Sequence, residues 1–309
     1  MSWKGSISMR ERIFITGANG QLGRDLIHEL TERNIECIAS DIQGSFSGIE
    51  SCEYIQLDIT NHESVIEAMK KYLPSRVIHC AAWTAVDAAE DEINREKVHA
   101  VNVTGTENIA MACKEINAIM TYISTDYIFD GTGTCAWMPE DESYSPLNYY
   151  GQTKLEGELA VKKHLQNFFI VRIAWVFGPH GKNFVGTMLK LSETHDTLRV
   201  VNDQIGTPTY TPDLSRLLAD MNQTCKFGIY HATNEGGFIS WYDFACEIFR
   251  QAHKDVKVIP VSTSEYGLSK ARRPYNSRLD KSKLKSSGFE SLPDWRDALR
   301  RYLEINGTN

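Results

Sequence analysis

The sequence predicts an α/β fold, a doubly wound parallel sheet followed by a smaller C-terminal α/β lobe. Three observations point to it. Short apolar runs of strand type alternate with helical segments from Arg12 to Trp175, the pattern of parallel strands joined by right-handed crossovers. A glycine-rich turn, Thr16-Gly17-Ala18-Asn19-Gly20-Gln21-Leu22-Gly23, joins the first strand to the first helix. After Trp175 the strands shorten and polar loops intervene, but residues 228–233 read as one more strand of the main sheet.

Taken in order, residues 12–16 form the first strand. Residues 21–32 form a helix, with Leu22, Leu26, Ile27 and Leu30 on one stripe. Residues 35–40 are the second strand, ending at Asp41, and residues 53–57 the third, leading to Asp58. Thr60 or Asn61 caps a helix over 63–72. The fourth strand, 76–80, runs into Ala81 and Ala82, small enough to let a flat ring lie against the backbone or simply to pack tightly. Residues 98–116 read as a helix on which Asn102 sits among apolar neighbours, tethering a loop or capping a local turn. Residues 120–125 are the fifth strand. Tyr150 and Lys154 open a helix continued by Leu155, Leu159 and Val161, and residues 168–175 are the sixth strand. Beyond a loop at 178–183 come a helix (184–193), a strand (198–201), a polar loop (202–209), a helix (211–221) and the strand at 228–233. A helix (240–251), a strand (256–261), a basic irregular stretch (271–277) and a terminal helix (294–303) complete the chain. The implied division is a unit over 11–176, to which 210–234 returns, and a lobe made of 177–209 and 235–309.

Composition narrows the function classes. The net charge of −7, with no long basic run, argues against nucleic acid or an anionic membrane as a partner. No stretch of 18 apolar residues exists to span a bilayer, and residues 1–6 lack the apolar centre of a signal peptide. The seven cysteines are scattered with no C-x-x-C pair, which fits free thiols and a cytoplasmic location. The nine histidines show no metal-binding spacing, so no metal residue is assigned.

The chemistry lies in two motifs. The glycines allow a tight turn and bring backbone N–H groups at a helix N-terminus close to a phosphate, the seat of a dinucleotide pyrophosphate in Rossmann-type folds. The spacing here is G-x-x-G-x-x-G, not the usual G-x-G-x-x-G. Asp41 lies where a carboxylate accepts hydrogen bonds from the adenosine ribose, and no Arg follows in residues 42–45 to hold a 2′-phosphate, which favours NADH over NADPH. The second motif, Tyr150-Gly151-Gln152-Thr153-Lys154, puts a phenol and an ammonium one helical turn apart. A free tyrosine titrates near a pKa of about 10, and a nearby ammonium lowers it. Lys154 also suits a nicotinamide ribose, and Ser124 and Thr125 offer hydroxyls to the same substrate oxygen. Gly17, Asp41, Asp58, Ala82, Thr125 and Trp175 all fall at the carboxyl ends of strands, where such sheets bind ligands. Arg272 and Arg273 suit a phosphate-bearing substrate or a solvated basic turn.

These residues carry a resemblance. With Ala81-Ala82-Trp83-Thr84-Ala85-Val86-Asp87, Ser124-Thr125-Asp126-Tyr127, Asp203-Gln204-Ile205-Gly206-Thr207-Pro208-Thr209 and Arg273-Pro274-Tyr275-Asn276-Ser277, the chain resembles an extended short-chain dehydrogenase/reductase. Within that group it is similar to the dTDP-4-dehydrorhamnose reductase family from about Arg12 to Leu303. The resemblance implies that Gly20, Gln21 and Leu22 line the pyrophosphate, with Gly17 and Asn19 also binding cofactor, that Asp41 faces the ribose, and that Asp58 and Ile59 flank the adenine. It implies that Ala82, Trp83 and Thr84 border the nicotinamide side, with Cys80, Ala81 and Asn102 also among the cofactor-binding residues. Tyr150 becomes the general acid, with Lys154 and Thr125 beside it, and Val86, Thr125, Asp126, Trp175 and Asn183 meet the substrate. The implied reaction is hydride delivery from NADH or NADPH to C4 of dTDP-6-deoxy-L-lyxo-4-hexulose, giving dTDP-L-rhamnose for polysaccharide. A monomer or homodimer is expected. Magnesium occurs in some members, but the sequence shows no ligand cluster for it.

Departures from the family pattern are Trp83, where Tyr or His is usual, Ala174 before Trp175, and a longer stretch over 43–54. Three other readings stand beside this one: another nucleotide-sugar enzyme (a reductase of a related 4-keto sugar, an epimerase or a dehydratase), a non-catalytic regulatory subunit like the methionine adenosyltransferase beta subunit, and a structural protein with a vestigial site. Asp126-Tyr127 after Thr125, in place of Asp-Glu, speaks against elimination.

Overall fold

The computed structural model describes residues 12–46 and 52–307; residues 1–6, part of the long 43–54 stretch and the first residue of the 11–176 unit lie outside them. The first half alternates as expected: β1 (Ile13–Thr16), α1 (Gln21–Glu32), β2 (Cys37–Asp41), β3 (Glu53–Gln56), α2 (His62–Tyr72), β4 (Arg76–His79), α3 (Val86–Ala89), α4 (Glu92–His99), α5 (Thr106–Ile116), β5 (Ile119–Thr125), α6 (Tyr149–His164) and β6 (Phe168–Ile173). The second half contains β7 (Val176–Phe177), α7 (Phe184–Leu191), β8 (Thr197–Val201), β9 (Ile205–Gly206), β10 (Thr209–Tyr210), α8 (Thr211–Asn222), β11 (Gly228–His231), β12 (Ile239–Ser240), α9 (Trp241–Gln251), β13 (Lys257–Val261), α10 (Thr263–Tyr266), α11 (Ser282–Ser286) and α12 (Trp295–Ile305).

Seven strands form one sheet in the order β11-β6-β5-β4-β1-β2-β3, every pair parallel. The strand order reverses between β1 and β4, which makes the crevice at their carboxyl ends the ligand position. Both faces are covered, so the strands read as continuous apolar runs rather than alternating ones. One face packs Leu22, Leu26 and Leu30 of α1 with Leu214, Leu217 and Leu218 of α8. The other packs Val65 and Met69 of α2, Ile109 of α5 and Val161 of α6. A separate core holds the lobe, where Phe177, Val185, Phe244, Ile248, Trp295 and Leu299 are buried together. Leu284, Phe289 and Leu292 join the first core instead, so residues 235–309 contribute to both.

Two of the longer elements differ from expectation. The helix expected over 98–116 begins earlier, as α4, and is interrupted at Ala100–Gly105 by a wider π turn. There Asn102 is wholly buried and Gly105 lies against Ile59, whose Cδ1 would be 2.6 Å from any Cβ at that position. The sixth strand stops at Ile173 because Trp175 takes a left-handed backbone, φ +51°, which ends the ladder.

Candidate active site

The glycine turn is built by close approach. Gly17 has φ +69°, and a Cβ there would fall 2.6 Å from the Ala81 nitrogen, so β1 and β4 meet with no side chain between them. A Cβ on Gly23 would fall 2.2 Å from the Gly17 carbonyl oxygen, so α1 sits directly on the turn. Gly20 caps α1 without any side-chain bond, and the first turn holds no acidic residue. These backbone N–H groups and the positive end of the helix fit an anion. Asp41 reaches the turn: its carboxylate accepts the Asn19 N–H at 3.0 Å and the Gln43 N–H at 3.2 Å. The Asn19 side chain turns away to the Ser45 carbonyl. Asp58 is exposed and accepts both the N–H and hydroxyl of Thr60, while Ile59 is buried behind it.

Cys80, Ala81, Ala82 and Trp83 follow β4 along the crevice, half-buried, with Thr84 exposed beyond. Asn102 holds this segment. Its Oδ1 accepts the Trp83 N–H at 2.8 Å, and its Nδ2 donates to the Trp83 carbonyl and to Thr153 Oγ1 on α6. The amide therefore tethers the loop, the first of its two expected roles, and every polar atom of it is spent there. His79 extends the tie, with Thr16 on one ring nitrogen and Thr106 on the other. Burial holds His79 down to about 3, so it stays neutral. Burial likewise pushes the Cys80 thiol up to about 12.

Tyr150 lies in the first turn of α6, whose cap is Asn148 accepting the Gly151 N–H. Its hydroxyl meets that of Thr125, and its ring lies edge-on to Tyr127. The pair with Lys154 departs from the sequence expectation. The Lys154 ammonium does not lower the tyrosine: it donates to the Ile123 carbonyl at 2.7 Å and lies 4.0 Å from the centre of the Tyr122 ring. Burial, aided by the Asp126 carboxylate, holds Tyr150 well above its ordinary value despite the Thr125 hydroxyl. Burial also brings Lys154 down to about 7, against the pull of Glu158 and Cys80. Asp126 is buried and pushed up to about 6, against the hydroxyls of Ser277 and Thr125. One of its oxygens accepts the Thr125 hydroxyl, and the other has no hydrogen-bond partner among the described residues.

On the lobe side, Trp175 stacks on Trp241 with ring centres 3.7 Å apart. A pocket of about 300 Å³ lies beside Trp241, lined also by Phe184, Gln204 and Arg273. Val86 opens α3 at the rim, half-buried. Asn183 spends its side chain on capping α7, on the Gly178 carbonyl and on Gln21 of α1. Arg273 is not free for a phosphate: Asp87 holds its guanidinium at two points and also accepts the Ala271 N–H. Arg272 is exposed. Sequence reasoning missed Asp87 and His79, whose partners are distant in sequence, and Glu158, which acts on Lys154 one helical turn away; the Asp87–Arg273 pair spans 186 positions. No group of three or more His, Cys, Asp or Glu residues able to hold a metal ion occurs among the described residues.

Fold and site together define a dinucleotide-binding α/β protein with a tyrosine–lysine centre at the carboxyl edge of its sheet. The family model described as RmlD substrate binding domain matches residues 10–307. A dTDP-4-dehydrorhamnose reductase from Streptomyces griseus is 40% identical, with 94% of this chain and 92% of that protein covered. The spore coat polysaccharide biosynthesis protein SpsK of Bacillus subtilis is 37% identical over 95% of this chain and 97% of its own. The crystal structure of a dTDP-4-dehydrorhamnose reductase from Bacillus anthracis in complex with NADP superposes with a TM-score of 0.87 at 38% identity, covering 96% of this chain and 99% of that one. The chain belongs to the dTDP-4-dehydrorhamnose reductase family.

Proposed function

We propose that this protein reduces the C4 keto group of dTDP-6-deoxy-L-lyxo-4-hexulose to give dTDP-L-rhamnose, with a reduced nicotinamide dinucleotide as hydride source. The observation that carries the proposal is the placement of Tyr150 and Thr125, hydroxyl to hydroxyl, at the end of β5, one side of the crevice whose other side is the uncapped α1. The cofactor fits the site because Gly17 and Gly23 leave room only for backbone at the turn. Gly20, Gln21 and Leu22 would hold the pyrophosphate, Asp41 the ribose, Ile59 the adenine side, and Ala81 to Thr84 the nicotinamide side. When bound, the cofactor supplies the hydride.

The protein's own part is proton transfer and positioning. Reduction needs a proton donor for the oxygen at C4, and a tyrosine held above its ordinary pKa keeps its proton through neutrality. Thr125 orients the phenol. Lys154, fixed on the Ile123 carbonyl, supplies positive charge beside the developing oxyanion while protonated. Trp175 and Asp126 border the sugar, and the lobe over 177–209 and 235–309 carries the nucleotide. Asp41, with no cation among residues 42–46, supports NADH over NADPH.

Mixing the protein with the keto sugar and NADH, beside NADPH, tests this by loss of absorbance. Tyr150→Phe should slow turnover roughly a hundred- to ten-thousand-fold. Tight cofactor binding without turnover would defeat the proposal.

A further inference from the structure

Cys37 at the start of β2 and Cys52 just before β3 lie with sulfurs 3.3 Å apart, 15 positions apart in sequence. The next residue on each side, Ile38 and Glu53, are direct partners in parallel register, so the two cysteines point to one face of the sheet. Both pack against the core covered by α1. A disulfide needs sulfurs at about 2.05 Å, a closure of little more than about 1 Å from here. We infer that Cys37 and Cys52 form a reversible thiol–disulfide modification site that fastens the base of the adenosine-side segment. That segment includes Asp41, Gln43 and Ser45, which bond to one another's neighbours around Asn19, and Tyr54 closes it by donating to the Gln43 carbonyl.

The two thiols differ in role. Cys52 is half-buried, and its contact with Cys37 draws it below the ordinary thiol value. Cys37 is buried and pushed up by the same contact. Cys52 is therefore the attacking thiolate, with a low-molecular-weight disulfide as oxidant. It bonds to one sulfur of that disulfide and expels the other half as a thiolate, which takes up the proton that Cys52 released. Cys37 sulfur then attacks Cys52 sulfur, the Cys37–Cys52 bond forms, and the second half leaves carrying the Cys37 proton. Two protein thiols are oxidised by two electrons and one small disulfide is reduced to two thiols.

The test treats the full chain with oxidised glutathione and maps the unreduced digest by mass. A Cys37–Cys52 linked peptide, two hydrogens lighter and reversed by dithiothreitol, is expected. The oxidised chain should melt several degrees higher than the reduced one, since the link closes a loop in the unfolded chain. In Cys37→Ser, glutathione should remain on Cys52; in Cys52→Ser, neither link nor melting shift should appear. Persistent glutathione on Cys52 of the unaltered chain, or reaction at the exposed Cys135 and Cys225 with none at Cys52, would overturn the site. A link that forms without raising the melting temperature would overturn the fastening. The readouts do not depend on the reductase activity, so either proposal can fail alone.

Discussion

Tyr150, Lys154 and Asp126 show how burial reverses an expectation drawn from spacing. An ammonium four residues from a phenol should lower it, yet each group here is governed first by the loss of water. Lys154, at about 7, is charged below neutrality and neutral above it. If its charge stabilises the oxyanion, kcat/KM should hold level below pH 7 and fall about tenfold per unit above it. A profile flat to pH 9 would remove Lys154 from that role. Asp126 provides a second test. Its folded value of about 6 lies above the ordinary 3.8, so the folded chain holds the proton more tightly. The associated stability is complete below pH 4 and is lost as pH rises through 6. Asp126→Asn removes that dependence. Relative to the unaltered chain, it should gain up to about 3 kcal/mol between pH 4 and pH 7 in denaturant titrations. Tyr150, Lys154 and Thr125 could be singled out from the sequence as candidates because their types and spacing are chemical signatures. Their protonation was not, because it depends on which atoms close around them: the Ile123 carbonyl, the Tyr122 ring and Ser277.

Among elements, β1, the turn and α1 were readable nearly residue for residue, since strand, glycines and apolar stripe each announce themselves locally. Gly23 gives the test. In an open helix, Gly→Ala gains about 1 kcal/mol. Here the added carbon would lie 2.2 Å from the Gly17 carbonyl. Gly23→Ala should instead cost about 1–3 kcal/mol in denaturant titrations, the usual penalty of overpacking. It should also weaken NADH binding at least about tenfold, because α1 must lift from the phosphate turn. The π turn at Ala100–Gly105 was not readable. Its sequence keeps helical character, and the cause lies elsewhere: Trp83 presents a backbone N–H and carbonyl to the Asn102 amide, which bonds both. The short strands β9, β10 and β12 were missed for a similar reason, since two residues carry no period and pair only because the lobe folds back on itself.

At the scale of the whole molecule, cofactor sheet and lobe are joined by charge across the crevice. Asp87 of α3 clasps Arg273, and Lys270 pairs with Asp91 nearby. The pair is partly exposed, so Asp87→Asn should cost no more than about 1 kcal/mol of unfolding stability. The same change frees Arg273 at the rim of the 300 Å³ pocket, so KM for the nucleotide sugar should change several-fold while kcat stays near its former value. Denaturant titration and steady-state kinetics on one preparation separate the two effects. Such pairings defeat sequence reasoning because each partner looks like an ordinary surface charge until the chain brings them together. The lobe also carries its own optical signal. The indoles of Trp175 and Trp241, stacked with their planes 15° apart and their centres 3.7 Å apart, couple their electronic transitions. Circular dichroism should show the split band of an indole exciton, abolished by Trp241→Leu. A sugar that displaces either ring would be visible as a change in that band, with no label attached and no turnover required.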